Sequence, residues 1–337
     1  MSEQLAVILV NWRNAPDTIE CLETLFRSTV PVRVIVCDNN SEDGSVERLI
    51  AWAEGASGAP LRNPELAHLV ATPLARPVAF RHVRPGETVD PVALPPLTIL
   101  ETGANLGYAG GNNAGLRHAL RDPATTHFWL LNNDTVIEPT AAAEILACFR
   151  GRPSVGMVGS ELRYYDRPDL LQMQGGMRFG KWTARGYGIG AGIARGTGLS
   201  ASAVEKAMDL VCGASMTVSR PFLDRVGLLE ERYFLYYEEI DWAIRNKGKF
   251  DLAYCPESIV YHKEGASAGS SAGGEERSPF SEYHLTRSRI IFGRLHFPHL
   301  VPAYLAYSTL LAGRRKLRGQ HDKARAILRG AFGLSYS

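Results

Sequence analysis

Several side chains able to do chemistry stand in this chain where apolar runs stop. In residues 128–138, FWLLNNDTVIE, a strand-like apolar run ends at Asn132, Asn133 and Asp134. A buried strand ending this way delivers one carboxylate to the carboxyl edge of a sheet, where open α/β sheets bind ligands. Such a carboxylate is a hard oxygen ligand for a divalent cation that holds a diphosphate. The competing reading is structural, since Asp134, Thr135 and Pro139 also suit the run into a helix from about Thr140.

Asp38 ends a second such run, VRVIVC. It could accept hydrogen bonds from a base N–H or ribose hydroxyls, with Asn39 and Asn40 as weaker partners, or it could close an Asx-turn. Residues 233–245, YFLYYEEIDWAIR, are the third dense segment. A helix from about Glu238 puts Glu238, Asp241 and Trp242 on one side and lets Asp241 pair with Arg245. Glu239 would then sit at a helix start beside two tyrosines. Aromatic surroundings raise a carboxyl pKa, whereas the helix amino terminus keeps the group ionised, and a carboxylate held there can act as a general base. Acids are also common in first helical turns for dipole reasons alone. His262 ends the run SIVYH, as a structural residue or a ligand.

The elements that position these groups follow from periodicity. Residues 5–10, LAVILV, read as a buried parallel strand ending at Asn11, and Asn14, Pro16 and Asp17 open a helix. A strand over 32–37 and a helix over about 45–53 follow, so strand and helix alternate as in a parallel sheet with right-handed crossovers. Residues 55–97 are proline-rich and aperiodic, and read as an irregular surface insertion with a short strand near 78–83. A strand over 98–102 leads into GANLGYAGGNNAG, residues 103–115, where Gly107, Gly110, Gly111 and Gly115 would let the backbone approach a ligand before a helix near Asn112 or Asn113. The order G-x-x-G-G is not a dinucleotide fingerprint, and no Walker lysine follows. Beyond a helix over 140–150 and a strand over 155–158, the glycine-rich stretch between 170 and 202 reads as a mobile loop. Residues 210–218 are a strand interrupted at Gly213, and 220–226 a short helix.

With 45% hydrophobic and 21% charged residues in 337, the composition is globular and easily buries a core. The net charge of +2 is unevenly placed: residues 281–337 hold 10 Lys/Arg against 2 Asp/Glu. A basic tail rich in Leu, Tyr and Phe suits an anionic membrane surface rather than nucleic acid. Five widely spaced cysteines in apolar runs read as reduced core residues. The first apolar run is too short for a signal-peptide core, and the longest, residues 297–313, is broken by prolines and shorter than the roughly 20 residues of a membrane span. The expected location is cytoplasmic, peripheral on the inner face of the membrane.

The segments VILVNW, VIVCDNNSEDGS, GANLGYAGGNNAG, LLNNDT, GASMTVSR, YFLYYEEIDWAIR and VYHKEGAS, in this order over about residues 5–265, resemble the inverting family 2 glycosyltransferases of the GT-A fold, especially the bacterial rhamnosyltransferase-like members that build cell-surface polysaccharides. The resemblance implies a Rossmann-like α/β fold with a mixed, mostly parallel sheet flanked by helices. A GT-A domain would cover 1–265, a flexible linker 266–280 and a basic helical extension 281–337. It implies that Asn11, Asp38 and Asn40 line a nucleoside pocket, that Asn105 and Gly107 close over the base, and that Gly213 and Ala214 lie beside donor sugar and diphosphate. Asp134 matches the last acid of the family's D-x-D metal motif, here Asn132-Asn133-Asp134 and so lacking its first carboxylate. His262 matches a second ligand found in some relatives, for Mg²⁺ or Mn²⁺. The family's E-D-x-D segment appears as Glu238-Glu239-Ile240-Asp241, which makes Glu239 the general base in place of aspartate. Asn133, Glu238 and Asp241 are expected substrate contacts, and Trp242 a stacking surface for an acceptor sugar. Thymidine diphosphate rhamnose is the donor the resemblance favours, against uridine diphosphate galactofuranose, galactose or N-acetylglucosamine. The acceptor is a saccharide or lipid-linked saccharide. A nucleotidyltransferase would want a basic glycine-rich loop after the first strand, where Asn11-Trp12-Arg13-Asn14 stand instead. A catalytically silent glycan-binding scaffold is the remaining alternative, suggested by the incomplete metal motif.

Overall fold

The computed structural model of the chain describes residues 3–56, 61–87, 93–263 and 277–336. Its first half alternates strand and helix: β1 (Gln4–Asn11), α1 (Ala15–Leu25), β2 (Val32–Asp38), α2 (Ser45–Glu54), β3 (Phe80–Val83), β4 (Leu97–Glu101), α3 (Gly107–Leu120) and β5 (Thr125–Leu131). There follow β6 (Thr135–Ile137), α4 (Ala141–Phe149), β7 (Val155–Tyr164), β8 (Leu171–Gln174), β9 (Gly176–Gly180), β10 (Arg185–Gly188) and α5 (Ala201–Ala207). The remainder is β11 (Leu210–Val211), β12 (Ser215–Ser219), α6 (Arg220–Val226), α7 (Glu238–Asn246), β13 (Asp251–His262), α8 (Pro279–His296), α9 (Val301–Leu317) and α10 (His321–Phe332).

The main sheet runs β3-β4-β2-β1-β5-β12-β7-β13-β6, with β8 paired to β7. Strands β3, β4, β2, β1 and β5 are mutually parallel, while β12 runs antiparallel between β5 and β7. The chain winds outward from β1 to β3, fills in β4 between β3 and β2, and then returns to β1's other side as β5, which makes β1/β5 the switch point at which open α/β sheets bind ligands. In β1, Leu5, Val7 and Leu9 enter the core under α1, α2 and α4, and Ala6 and Ile8 the core under α3 and α6. Both faces are covered, which is why the strand reads as a continuous apolar run.

Three expectations need correction. Helix α3 starts at Gly107, five residues before Asn112, and its glycines mostly serve packing. A Cβ on Gly115 would lie 2.6 Å from Ile8 Cγ2 and 2.9 Å from Cys37 Sγ, so the helix lies close on the sheet because that side chain is missing. The stretch between 170 and 202 is not a loop throughout. It forms β8, β9 and β10, the last two joining β11 in a separate three-stranded antiparallel sheet. Asp134 caps no helix, since β6 stands between it and α4. The expected linker 266–280 lies mostly outside the described residues, and its last two residues already belong to α8.

The tail helices pack on the body. Ile290, Phe292, Leu300 and Tyr304 share a core with Tyr233, Tyr237, Ile240 and Leu210. His296 Nε2 lies 2.6 Å from Asp241 Oδ1, tying α8 to α7. Among the described residues no helix is long and apolar enough to cross a membrane, and the five cysteines are free thiols.

The glycines give a paired test. Gly115→Ala should cost about 1–3 kcal/mol through overpacking against Ile8 and Cys37. Gly313→Ala, in the interior of α9 with open space around its Cβ direction, should gain about 0.5–1 kcal/mol. Urea midpoints of the two variants moving in the same direction would contradict this packing.

Candidate active site

The carboxyl edge of the sheet carries a connected polar network. Asn11 Nδ2 donates to Asp38 Oδ2 at 2.7 Å and lies 3.1 Å from Ser41 Oγ. Thr18 Oγ1 donates to Asn11 Oδ1 at 2.7 Å, and Asn133 Nδ2 donates to Thr18 Oγ1 at 2.9 Å. Ser41 closes the turn after β2, its N–H on Asp38 Oδ1 at 2.9 Å and its hydroxyl on Oδ2 at 2.6 Å. Asp38 is therefore buried and holds the turn through Ser41, three residues on rather than the two of an Asx-turn, and Asn40 beside it is half-buried with a left-handed φ of 58°. Thr18 lies in no motif, and Ser41 lies in VIVCDNNSEDGS, where Asp38, Asn39 and Asn40 drew the attention instead.

The metal candidates meet. His262 Nε2 is 3.2 Å from Asp134 Oδ1, both residues being buried. Burial opposes ionisation of Asp134, but the His262 imidazole and then Lys263 outweigh it, so its carboxyl pKa lies below the usual value. Gln172 Oε1 lies 2.9 Å from His262 Nδ1, and Asn132 Nδ2 3.2 Å from Nε2. With Nδ1–H on Gln172, Nε2 either carries the proton that bridges to Asp134 or offers its lone pair, and a divalent ion between the two would take the place of that proton. An imidazole nitrogen and a carboxylate oxygen are two ligands a divalent ion can take, with Gln172 orienting the ring from its far nitrogen. Among the described residues no group of three or more His, Cys, Asp or Glu gathers, so an ion here would take its further ligands from phosphate oxygens or water.

Glu239 lies on another wall. Tyr236 and Tyr237 both have left-handed φ, 70° and 80°, and turn the chain so that α7 begins with Glu238 and Glu239. Glu239 is half-buried, and burial raises its carboxyl pKa against a backbone N–H that lowers it. A Cβ on Gly213 would stand 3.9 Å from Glu239 Oε2 and 3.8 Å from the Tyr108 hydroxyl. Tyr108 donates to Gly213 O at 2.6 Å, a role unnoticed in the sequence, and its pKa is held well above 10 by burial and then by the charges of Glu238 and Glu239. Ala214 follows, its carbonyl accepting from Asn132 N at 3.0 Å, so the Gly213–Ala214 turn abuts the Asn132–Asp134 segment. Gly107 has a φ of +69°, and an added Cβ would meet Phe234 O at 2.1 Å. Asn105 is exposed and accepts from Gly107 N at 3.1 Å, while Asn39 Nδ2 donates to Gly107 O at 2.8 Å.

Two members of the third segment fall outside the crevice. Trp242 is fully buried, its Nε1 on Gly227 O at 3.0 Å and its ring edge-on to Phe222, so it cannot stack on a sugar. Asp241 is buried between Arg245, at 2.5 Å, and His296, and ties helices together. Glu238 is buried, its Oε1 without a hydrogen-bond partner among the described residues. Burial, and then the charge of Glu239, push its pKa well above 4.5.

Two solved structures share this architecture. The mannosyltransferase PcManGT of Pyrobaculum calidifontis, in complex with GDP-Man and Mn²⁺, is 15% identical with a TM-score of 0.51 and covers 98% of this chain and 87% of its own. GalNAc-T7 with UDP, GalNAc and Mn²⁺ is 12% identical with a TM-score of 0.54, over 85% of this chain and 47% of its own. The fold is that of the GT-A glycosyltransferases.

No family model matches the chain. By sequence it is 26% identical over 171 residues to the low-salt glycan biosynthesis hexosyltransferase Agl10 of Haloferax volcanii, 49% of this chain and about half (51%) of that protein's length. It is 26% identical over 287 residues to the N-acetylglucosaminyl-diphospho-decaprenol L-rhamnosyltransferase of Mycobacterium tuberculosis, 80% of this chain and 79% of that protein. The chain thus has the GT-A glycosyltransferase fold and is similar in sequence to a hexosyltransferase and to a rhamnosyltransferase.

Glu238 yields a pH prediction. A carboxyl whose folded pKa is raised stabilises the fold when protonated and loses that contribution as pH rises from the unfolded pKa to the folded one. Glu238→Gln, which cannot ionise, should therefore match wild type in Tm near pH 4 and exceed it by at least about 2 °C at pH 8. Equal melting temperatures at both pH values would show that the buried carboxyl costs nothing.

Proposed function

We propose that the chain transfers a hexose from a nucleoside diphosphate donor, thymidine diphosphate rhamnose first among candidates, to a saccharide acceptor on a lipid carrier in cell-surface polysaccharide synthesis, with inversion at the anomeric carbon. One observation carries the reading: the half-buried Glu239 stands beside the Gly213 turn, which hydrogen-bonds through Ala214 to the segment holding Asp134. A base and a diphosphate-binding edge are thus joined by one turn. The choice of rhamnose is supported by the relative that is named for it.

Donor and acceptor would meet over that turn. The nucleoside lies toward Asn11, Asp38 and Asn40, under Asn105 and Gly107, with Asn133 and Gly213 nearer the diphosphate and sugar. Glu239 takes the proton from the acceptor hydroxyl as its oxygen attacks the anomeric carbon. The bond from that carbon to the diphosphate oxygen breaks, nucleoside diphosphate departs, and a single displacement inverts the centre. Bound at Asp134 and His262, Mg²⁺ or Mn²⁺ would offset charge growing on the leaving diphosphate. The raised pKa of Glu239 keeps its basicity high once it is ionised, and the carboxyl of Glu238, if protonated, adds no second charge beside it. Contact with an anionic membrane surface fits the exposed Leu310, Leu317 and Phe332 among the basic residues of α9 and α10.

A panel of nucleotide sugars, read by thermal stabilisation with and without Mn²⁺ and by turnover, tests the scheme. Glu239→Gln should keep donor binding and lose on the order of 100- to 10,000-fold in rate. Asp134→Ala should lose the Mn²⁺-dependent stabilisation. If no nucleotide sugar binds wild type under either condition, the proposal fails. The base works only when ionised, so kcat should fall as pH drops through the raised pKa of Glu239, giving an acid limb above the usual glutamate value near 4.3. A kcat flat down to that value would remove Glu239 from the role.

A further inference from the structure

Glu239 also lines a second space that contains none of Asn11, Asp38, Asp134 or His262. This is a cavity of about 430 Å³ between the catalytic body and the tail helices. Its walls carry six arginines, Arg185, Arg277, Arg289, Arg314, Arg315 and Arg318, against two carboxylates, Glu239 and Glu282. Glu282 is already engaged by Arg315.

Arg289 is the decisive residue. Its side chain is only 2% exposed, and it rises from α8 into the wall of this cavity. Nε donates to the Tyr237 hydroxyl at 3.0 Å and Nη1 to Ser308 Oγ at 3.2 Å, while the guanidinium lies 5.1 Å from the centre of the Tyr307 ring. Among the described residues no carboxylate forms an ion pair with it, and its hydrogen bonds are those to the two hydroxyls. A buried cation held by neutral hydroxyls and a ring is costly unless an anion completes its shell. Arg185, Arg314 and Arg318, all exposed, stand at the rim. Guanidinium groups bind phosphate through paired N–H donors, and several converging from different helices suit an extended dianion better than a single carboxylate. The volume admits a diphosphate with an attached sugar.

We propose that this cavity holds the diphosphate of a lipid-linked acceptor, an assignment that rests on the transferase reading above. The first sugar, bonded to that diphosphate, then presents its hydroxyl to Glu239 on the same wall, against Tyr236 and Tyr237. The lipid leaves along α9, where Leu311 lines the cavity and Leu310 and Leu317 are exposed on the same helix. Donor diphosphate and acceptor diphosphate are thereby kept on different walls, the first at Asp134 and His262 and the second among arginines, with the base between them.

The test uses the whole protein. Inorganic pyrophosphate binding is measured by calorimetry in EDTA, which keeps metal out of the donor edge. The double variant Arg314→Gln/Arg318→Gln should bind pyrophosphate at least tenfold more weakly, whereas Arg325→Gln, exposed on α10 and away from the cavity, should match wild type. With citronellyl diphosphate N-acetylglucosamine as acceptor, the double variant should raise KM at least tenfold with kcat changed less than twofold, and octyl N-acetylglucosaminide, which has no phosphate, should show no change in KM. Unchanged pyrophosphate affinity, or an equal rise in KM for both acceptors, overturns the proposal. So does displacement of pyrophosphate by phosphatidylglycerol vesicles with the diphosphate acceptor's KM unmoved, which would assign the arginines to a lipid headgroup. If wild type turns over no nucleotide sugar yet pyrophosphate binding is lost in the double variant, the transferase reading has failed and the acceptor assignment with it, while the anion site remains.

Discussion

The amide of Asn11 joins the parts on which the site depends. It donates to Asp38 at the end of β2 and accepts from Thr18 on α1, and Thr18 accepts in turn from Asn133 after β5. All four side chains are buried. Polar groups taken out of water must find partners, and here each finds one on a different element. The network therefore fixes the relative positions of β1, β2, α1 and the turn after β5, which the apolar cores on either face could not do alone, because hydrophobic contact has no direction.

Much of this could be read from the sequence because the parallel strands are covered on both sides. Runs such as LAVILV and VRVIVC have no competing interpretation, and the polar residues that stop them fall at the carboxyl edge by construction. Asp134 and His262, 128 positions apart, meet because β6 and β13 are antiparallel neighbours, which the run-and-stop pattern implied only through the resemblance. What was misread follows from burial that sequence does not state. Trp242 lies on an amphipathic helix, and only packing against Phe222 shows which face is inward. The glycines from 107 to 115 lower helix propensity, yet α3 runs through them because they let it lie close on β1 and β2. Between 170 and 202 glycines again suggested a loop, whereas two narrow hairpin strands use them to fit beneath their neighbours.

Arg289 marks the limit of such reading. In sequence it is one of ten basic residues in a basic tail, and net charge alone suggests a solvated surface. Its burial is a product of α8 lying between Tyr237 and α9. The tail thus carries two kinds of arginine that composition cannot separate, one set toward solvent and one turned to the catalytic body.

The turn ahead of α7 gives the tail a second role. Tyr236 and Tyr237 occupy a backbone region that side chains other than glycine disfavour, on the order of 1–3 kcal/mol each, and something must hold them there. For Tyr237 the restraints are Ala184 O on β9–β10's side and Arg289 and Phe292 from α8. The helical extension thus works as a clamp on a loaded spring. In a chain shortened after β13 the turn would keep its bond to Ala184 O but lose Arg289 and Phe292, so Tyr237 and the carboxylates that follow it would be held by fewer restraints.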